Sequence, residues 1–157
     1  MTLRRLVGVV LYWLAWPAYK IYFRLGDRTR VVIVHDGMIL AMRQWIGSGR
    51  WSLPGGGLHA GEQPLDGAVR EVYEETGIRL TADQLLYLGL HDYRQHGQHF
   101  RFHAYVYELS TRPRLHKQWY EVADLAWLRP ADLTPQTASI DALTSVRLVA
   151  DRTRLLQ

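Results

Sequence analysis

The order of strand-like and helix-like segments predicts an α/β domain, a mixed β-sheet with helices on its faces. Three observations carry this reading. A β-branched run, VVIVH at 31–35, meets a turn dipeptide and then a second apolar run. The segment 64–76 has helical apolar spacing between a proline and a glycine. A second segment, 139–156, carries Ile140, Leu143, Val146 and Val149 at helical spacing.

Taken in order, the link RLGDRTR (24–30) marks the start of the folded domain, and residues 26–157 read as that domain. The run 31–35 is a buried strand. Asp36–Gly37 is a hairpin signal, so MILAMRQW (38–45) pairs back as a second strand. WSL (51–53) reads as a short strand that stops at Pro54. In 64–76, Pro64 suits a first helical turn, and Gly77 stands where a C-cap favours glycine. QLLYLGLHDY (84–93) and HFRFHAYVYEL (99–109) form a hairpin, and VADLAWL (122–128) is a further strand. Ser139 or Thr137 supplies a possible N-cap for the last helix.

The 157 residues suit one domain with a core of its own. With no cysteine, disulfide scaffolds and thiolate metal sites are excluded. The seven histidines are scattered without zinc-ligand spacing. The net charge of +4 is unevenly spread: residues 1–30 hold six of the 19 basic side chains and one of the 15 acidic ones. The rest is close to neutral, so duplex nucleic acid is not expected as a partner. The basic, apolar N-terminus points to a membrane surface.

The helix at 64–76 concentrates negative charge. Glu71, Glu74 and Glu75 are spaced i, i+3 and i+4 and share a face. Arg70 lies one turn before Glu74 and is placed to pair with it. Such oxygen donors suit a hard divalent cation, Mg²⁺ or Mn²⁺, which cancels the repulsion and bridges to phosphate oxygens. Gly55, Gly56 and Gly57 precede the helix and let backbone approach a ligand closely. A solvated helix face beside an ordinary turn is the bland alternative. The spacing decides against it. Gly56, Glu62, Arg70, Glu71, Glu74, Glu75 and Gly77 occupy fixed intervals, with Val72 and Ile78 as aliphatic positions. Seven fixed positions at about one in fifteen each match by chance roughly once in 10⁸ starts.

This pattern resembles the Nudix box, complete over 56–78, and the chain is similar to the Nudix hydrolase family. WSLPGG before the box and EVADLAWLRPADL (121–133) extend the likeness. The resemblance implies an α/β/α sandwich with a catalytic loop-helix-loop. It also implies divalent-metal-dependent hydrolysis of a diphosphate linkage in a nucleoside diphosphate derivative. Glu71, Glu74 and Glu75 would be metal ligands, and one of them, or a water activated by the ion, would act as base. Arg70 would orient the glutamates, Gly56 would offer a nearby carbonyl to the metal, and Glu62 would support. Glu121 is the candidate for a further base from outside the box; a plain surface glutamate is the alternative.

Substrate contacts lie outside the motif. Arg101, His103, Tyr105 and Tyr107 share one face of their strand and are candidates to line a pocket, Arg101 reaching a phosphate and a tyrosine stacking on a base, with a plain solvent-facing row as the alternative. Phe100, Phe102, Ala104 and Val106 read as core. Trp45 and Trp51 flank the glycine loop and are candidates for stacking, with packing as the alternative.

Residues 3–23, LRRLVGVVLYWLAWPAYKIYF, are expected to form an uncleaved apolar helix (within 1–25) that spans a membrane or lies in its interface. A cleaved signal peptide and burial against the domain are its rivals. Nucleotide substrates argue for a cytoplasmic catalytic domain. The function alternative from another class is a catalytically silent Nudix domain, tethered to a membrane, that senses a nucleotide or metabolite.

Overall fold

A computed structural model describes residues 26–46, 48–95 and 98–155. The helix expected over 3–23 lies outside them. Strands β1 (Arg28–His35) and β2 (Met38–Gln44) are followed by helix α1 (Pro64–Thr76). Strands β3 (Leu86–Gln95), β4 (Gln98–Glu108) and β5 (Val122–Leu128) come next, then helix α2 (Ile140–Leu155). Single 3₁₀ turns cover Ala82–Gln84 and Pro130–Asp132.

The five strands form one sheet in the order β3-β4-β1-β2-β5. β1 and β4 are parallel, from Arg28 opposite Phe102 to Val34 opposite Glu108, and the other pairs are antiparallel. Asp36 and Gly37 turn β1 into β2 with φ of 48° and 70°, the two positive values a tight hairpin turn needs. Both faces are covered. Val31, Ile33 and Leu40 pack under Ala68 and Val72 of α1. Their alternates Val32, Ile39 and Ala41 pack with Ala142, Leu143 and Val146 of α2. That alternation is the period of two of a strand, used on both sides of the sheet.

Two expectations change. Trp51 and Ser52 do not build a strand; they make single bridges, to Ala138 and Met42 respectively. The Tyr105–Tyr107 face of β4 does not look into solvent, because both rings lie in the core cluster beneath α1.

The short pairing of β1 with β2 shapes the site. Only Val34 and His35 at the end of β1 pair with β2, so the first half of that edge is left to another segment. The glycine loop takes it: Thr29 N donates to Gly56 O at 2.8 Å and Val31 N to Pro54 O at 2.9 Å. Backbone so close to a strand leaves no room for side chains. A Cβ on Gly55, whose φ is +132°, would stand 2.3 Å from Thr29 O.

Candidate active site

The helix α1 aims its glutamates in a fan. At about 100° per residue, Glu75 lies about 20° from Ala68, Glu71 about 60° and Glu74 about 120°, all to the same side. Ala68 marks the core stripe, so the three carboxylates run from core to solvent. Glu75 is 2% exposed, Glu71 is partly buried and Glu74 is exposed. The helix ends at Gly77, whose φ is 75° and whose N–H donates to Tyr73 O.

Glu75 Oε2 accepts the Gly55 N–H at 2.8 Å. Burial pushes its carboxyl well above the ordinary range; the Gly55 amide opposes this, Glu71 adds to it, Arg30 opposes it and Glu121 adds to it. Glu71 has its carboxylate against the glycine loop, where a Cβ on Gly56 would meet it at 2.5 Å.

Arg70 gathers the outer acids. Its Nε and Nη2 donate to the two oxygens of Glu62 at 2.8 and 2.9 Å. Nη1 donates to Glu71 Oε1 at 2.7 Å, Nη2 to Gly57 O at 3.1 Å, and Glu74 stands at 3.5 Å. The expected partner, Glu74, is thus the most distant, and the two-pronged pairing goes to Glu62. That hydrogen bonding holds the Glu62 carboxyl down at about 2, against burial.

Glu121 comes from the segment between β4 and β5. The segment after β4 is fixed to the helix end by His116 N on Thr76 O at 2.9 Å and Gln118 N on Glu75 O at 3.4 Å. Burial first, then the fields of Glu71 and Glu74, raise the Glu121 carboxyl, with Arg28 opposing. Glu121 is therefore part of the same negative field. Beside it, Trp119 is 75% exposed, stands edge to face with Tyr120, and has its backbone carbonyl held by Trp45 Nε1 at 2.9 Å. Sequence reasoning missed Trp119 and Tyr120, although WYE at 119–121 places them directly before the candidate base.

The other expected contacts divide. Arg101 grips Asp27 with two bonds of 2.9 Å, and His103 Nε2 stands 3.5 Å from the same carboxylate. Asp27 O accepts Leu58 N at 3.1 Å, so this basic pair borders the box loop. Tyr105 is 5% exposed, and burial pushes its phenol up to about 12; it is a core residue, not a stacking surface. Trp51 has Arg43 3.9 Å over its ring and packs against the α2-side core, which corrects its reading as a stacking platform. The Gly56 carbonyl, expected to face a metal, already accepts Thr29 N, leaving one lone pair.

The donor set fits a hard divalent cation. It is all oxygen, it is anionic, and it contains a buried carboxylate whose charge lacks full compensation. Among the described residues, no three acidic side chains already stand close enough together to hold an ion. Glu71 is turned to Arg70 and Glu75 to Gly55.

A NUDIX domain family model matches residues 25–148. The chain belongs to the Nudix hydrolase family. A MutT-like protein of Streptomyces ambofaciens is 34% identical over 113 residues, 72% of this chain and 69% of that one. An RNA pyrophosphohydrolase of Bartonella quintana is 45% identical over 62 residues, 31% of this chain and 33% of its own length. The chain thus spans about a third of that relative. A bifunctional NMN adenylyltransferase/ADP ribose pyrophosphatase from Francisella tularensis, solved with AMP and a Mn ion, shares the fold with a TM-score of 0.71 at 18% identity. That likeness covers 88% of this chain and 47% of the other. In this Nudix protein the glutamate helix, the glycine loop and the Arg70 cluster are all in place.

Proposed function

We propose that this Nudix protein hydrolyses a diphosphate linkage in a nucleoside diphosphate derivative, using Mg²⁺ or Mn²⁺. The observation that carries the reading is the row of carboxylates on α1, with Glu75 buried and bonded to Gly55 N–H, Glu71 against the glycine loop and Glu74 in solvent. A domain relieved of catalysis has no need to keep such a cluster, which speaks against the silent sensor. The naming of a pyrophosphohydrolase and of an AMP- and Mn-bound pyrophosphatase among the similar proteins supports the same class.

Glu71, Glu74 and Glu75 would hold the ion, Glu71 by swinging from Arg70 and Glu75 through Oε1 while Oε2 keeps the Gly55 N–H. When bound, the ion supplies charge screening at phosphorus and acidifies a water. The remaining work belongs to the chain. Arg70 keeps Glu62 and Glu71 from dispersing. Glu121, whose pKa is raised by burial and then by Glu71 and Glu74, takes the proton of the attacking water. Arg101 and His103 meet a phosphate when they exchange Asp27 for it. Trp119 offers an exposed ring for stacking on a base. Turnover of a panel of nucleoside diphosphate derivatives with and without chelator tests the proposal; undiminished turnover in excess EDTA rejects it.

We also propose that residues 3–23 anchor the protein to a membrane with the catalytic domain in the cytoplasm. The support is the sequence: an apolar run between basic flanks, rich in Tyr and Trp. Fractionation of the full chain beside a chain starting at Gly26 tests it. Recovery of the full chain in the soluble fraction without detergent contradicts it.

A further inference from the structure

Arg30 and Asp141 are charged, buried and unused in the mechanism above. Arg30 lies on β1, on the face turned to α2, and Asp141 lies in the first turn of α2. Their side chains are 11% and 3% exposed. Arg30 Nε donates to Asp141 Oδ2. Its Nη1 donates to two backbone carbonyls, Thr29 O at 2.8 Å and Gly55 O at 2.7 Å. Gly55 therefore carries a bond on each side of its Cα. Its C=O is held by Arg30, and its N–H is held by Glu75 at 2.8 Å. Asp141, Arg30, Gly55 and Glu75 form one chain of contacts that runs from α2, past the sheet edge, to the buried carboxylate of α1.

A pair meant only for stability has no reason to reach Gly55. Breaking a buried ion pair is costly, but replacing it with well-packed apolar groups is often neutral. Here one guanidinium serves three acceptors on three different segments. Only the planar fork of arginine gives that geometry; a lysine carries the charge without the fork. The electrostatics agree with the contacts. Burial opposes the charge on Arg30, and Asp141, Glu75 and Glu71 together outweigh it. Burial likewise opposes the charge on Asp141, and the Arg30 guanidinium above all holds its carboxyl low.

We infer that Arg30 and Asp141 are positioning residues, which lock the Gly55 peptide so that Glu75 is presented to a divalent cation. The inference rests on the metal-dependent reading of the site. It makes α2 a working part of a centre whose ligands all lie on α1. It also accounts for the placement of a charged residue inside a strand whose neighbours Thr29, Val31 and Val32 are fully buried.

The test compares Arg30→Lys and Asp141→Asn with Leu143→Ala in the full chain. Leu143 packs on the same α2-side core and its apolar side chain makes no hydrogen bond in the network, so its loss supplies a control for general destabilisation. The first readout needs no metal: hydrogen exchange at the Gly55 amide. Slow exchange is expected in the parent protein and in Leu143→Ala, and is expected to be lost in both network variants. The second readout is Mn²⁺ affinity by titration, expected to fall about 10- to 100-fold in the network variants, as for other residues that orient ligands, and to stay near the parent value in the control. Should Asp141→Asn fail to fold, Arg30→Lys, which keeps the charge, carries the test. Equal Gly55 protection in Arg30→Lys and the control overturns the inference. Absence of Mn²⁺ binding in the parent protein contradicts the proposed function instead, and the Gly55 readout still decides the positioning.

Discussion

Glu75 is the residue whose chemistry differs most from what its position in a helix would ordinarily allow. A buried carboxylate is favoured in its neutral form, and at neutral pH this one is costly without a cation. Its folded pKa is raised, so its contribution to stability is complete below its ordinary value of 4.5 and is lost as pH rises through the raised one. Glu75→Gln keeps the acceptor for Gly55 N–H and removes the charge. The metal-free variant is therefore expected to melt above the parent protein at pH 8. That gap should close as pH falls toward 4.5, as followed by thermal denaturation across pH. The same variant should lower kcat by about 100-fold or more, since loss of a residue that merely orients a ligand costs up to that much. Glu62 has the opposite sign. Its carboxyl is held at about 2 by Arg70 against an ordinary 4.5, so its contribution is present above 4.5 and is lost as pH falls toward 2. Arg70→Ala leaves Glu62 and Glu71 unpaired in a partly buried setting and should destabilise by about 1–3 kcal/mol. Denaturant titration at neutral pH measures it, and Glu62→Gln should make acid unfolding less steep.

At the scale of elements, the glycine loop works as a substitute strand, and this sets its tolerance. Gly56→Ala would put a methyl 2.5 Å from the Glu71 carboxylate. That carboxylate yields only by leaving Arg70, so activity should fall at least as far as stability, which overpacking lowers by about 1–3 kcal/mol. Steady-state kinetics beside a melting curve separates the two effects. The helix α1 was legible from sequence to its end residues, because Pro64 and Gly77 punctuate it and the spaced glutamates fix its phase. The strand β5 was equally plain, bounded by polar loop and proline. What was not legible has physical reasons. A period of two sorts β4 into two faces, but it cannot say that a helix covers each of them; Tyr105 was misjudged because the second face is also core. Trp51 and Ser52 have strand-like side chains, yet only Ser52 finds a β2 partner. Arg30 reads as the end of a polar link until Asp141, 111 residues away, supplies its countercharge.

Across the whole molecule, the two helices are tied to one site through the sheet they sandwich. The α1 side holds the carboxylates and the α2 side holds the pair that fixes the loop between them. Metal binding should therefore stabilise the entire fold, α2 included. Mg²⁺ or Mn²⁺ at 100 times its dissociation constant adds about 2.7 kcal/mol, which for a chain of this size is a rise in Tm of roughly 5–10 °C. Calorimetry with and without metal reads it, and Glu75→Gln should show little of it. In the proposed function, the acidic face of α1 holds a cation that drives cleavage of a phosphoanhydride. The measurement that meets it most directly is turnover of ADP-ribose, dinucleoside polyphosphates and nucleoside triphosphates by the parent protein and by Glu75→Gln, with Mg²⁺, with Mn²⁺ and with excess EDTA. The expected result is release of a nucleoside monophosphate from at least one of them, abolished by EDTA and reduced by about 100-fold or more in the variant. Turnover that survives EDTA, or that is equal in Glu75→Gln at saturating metal, would contradict the account.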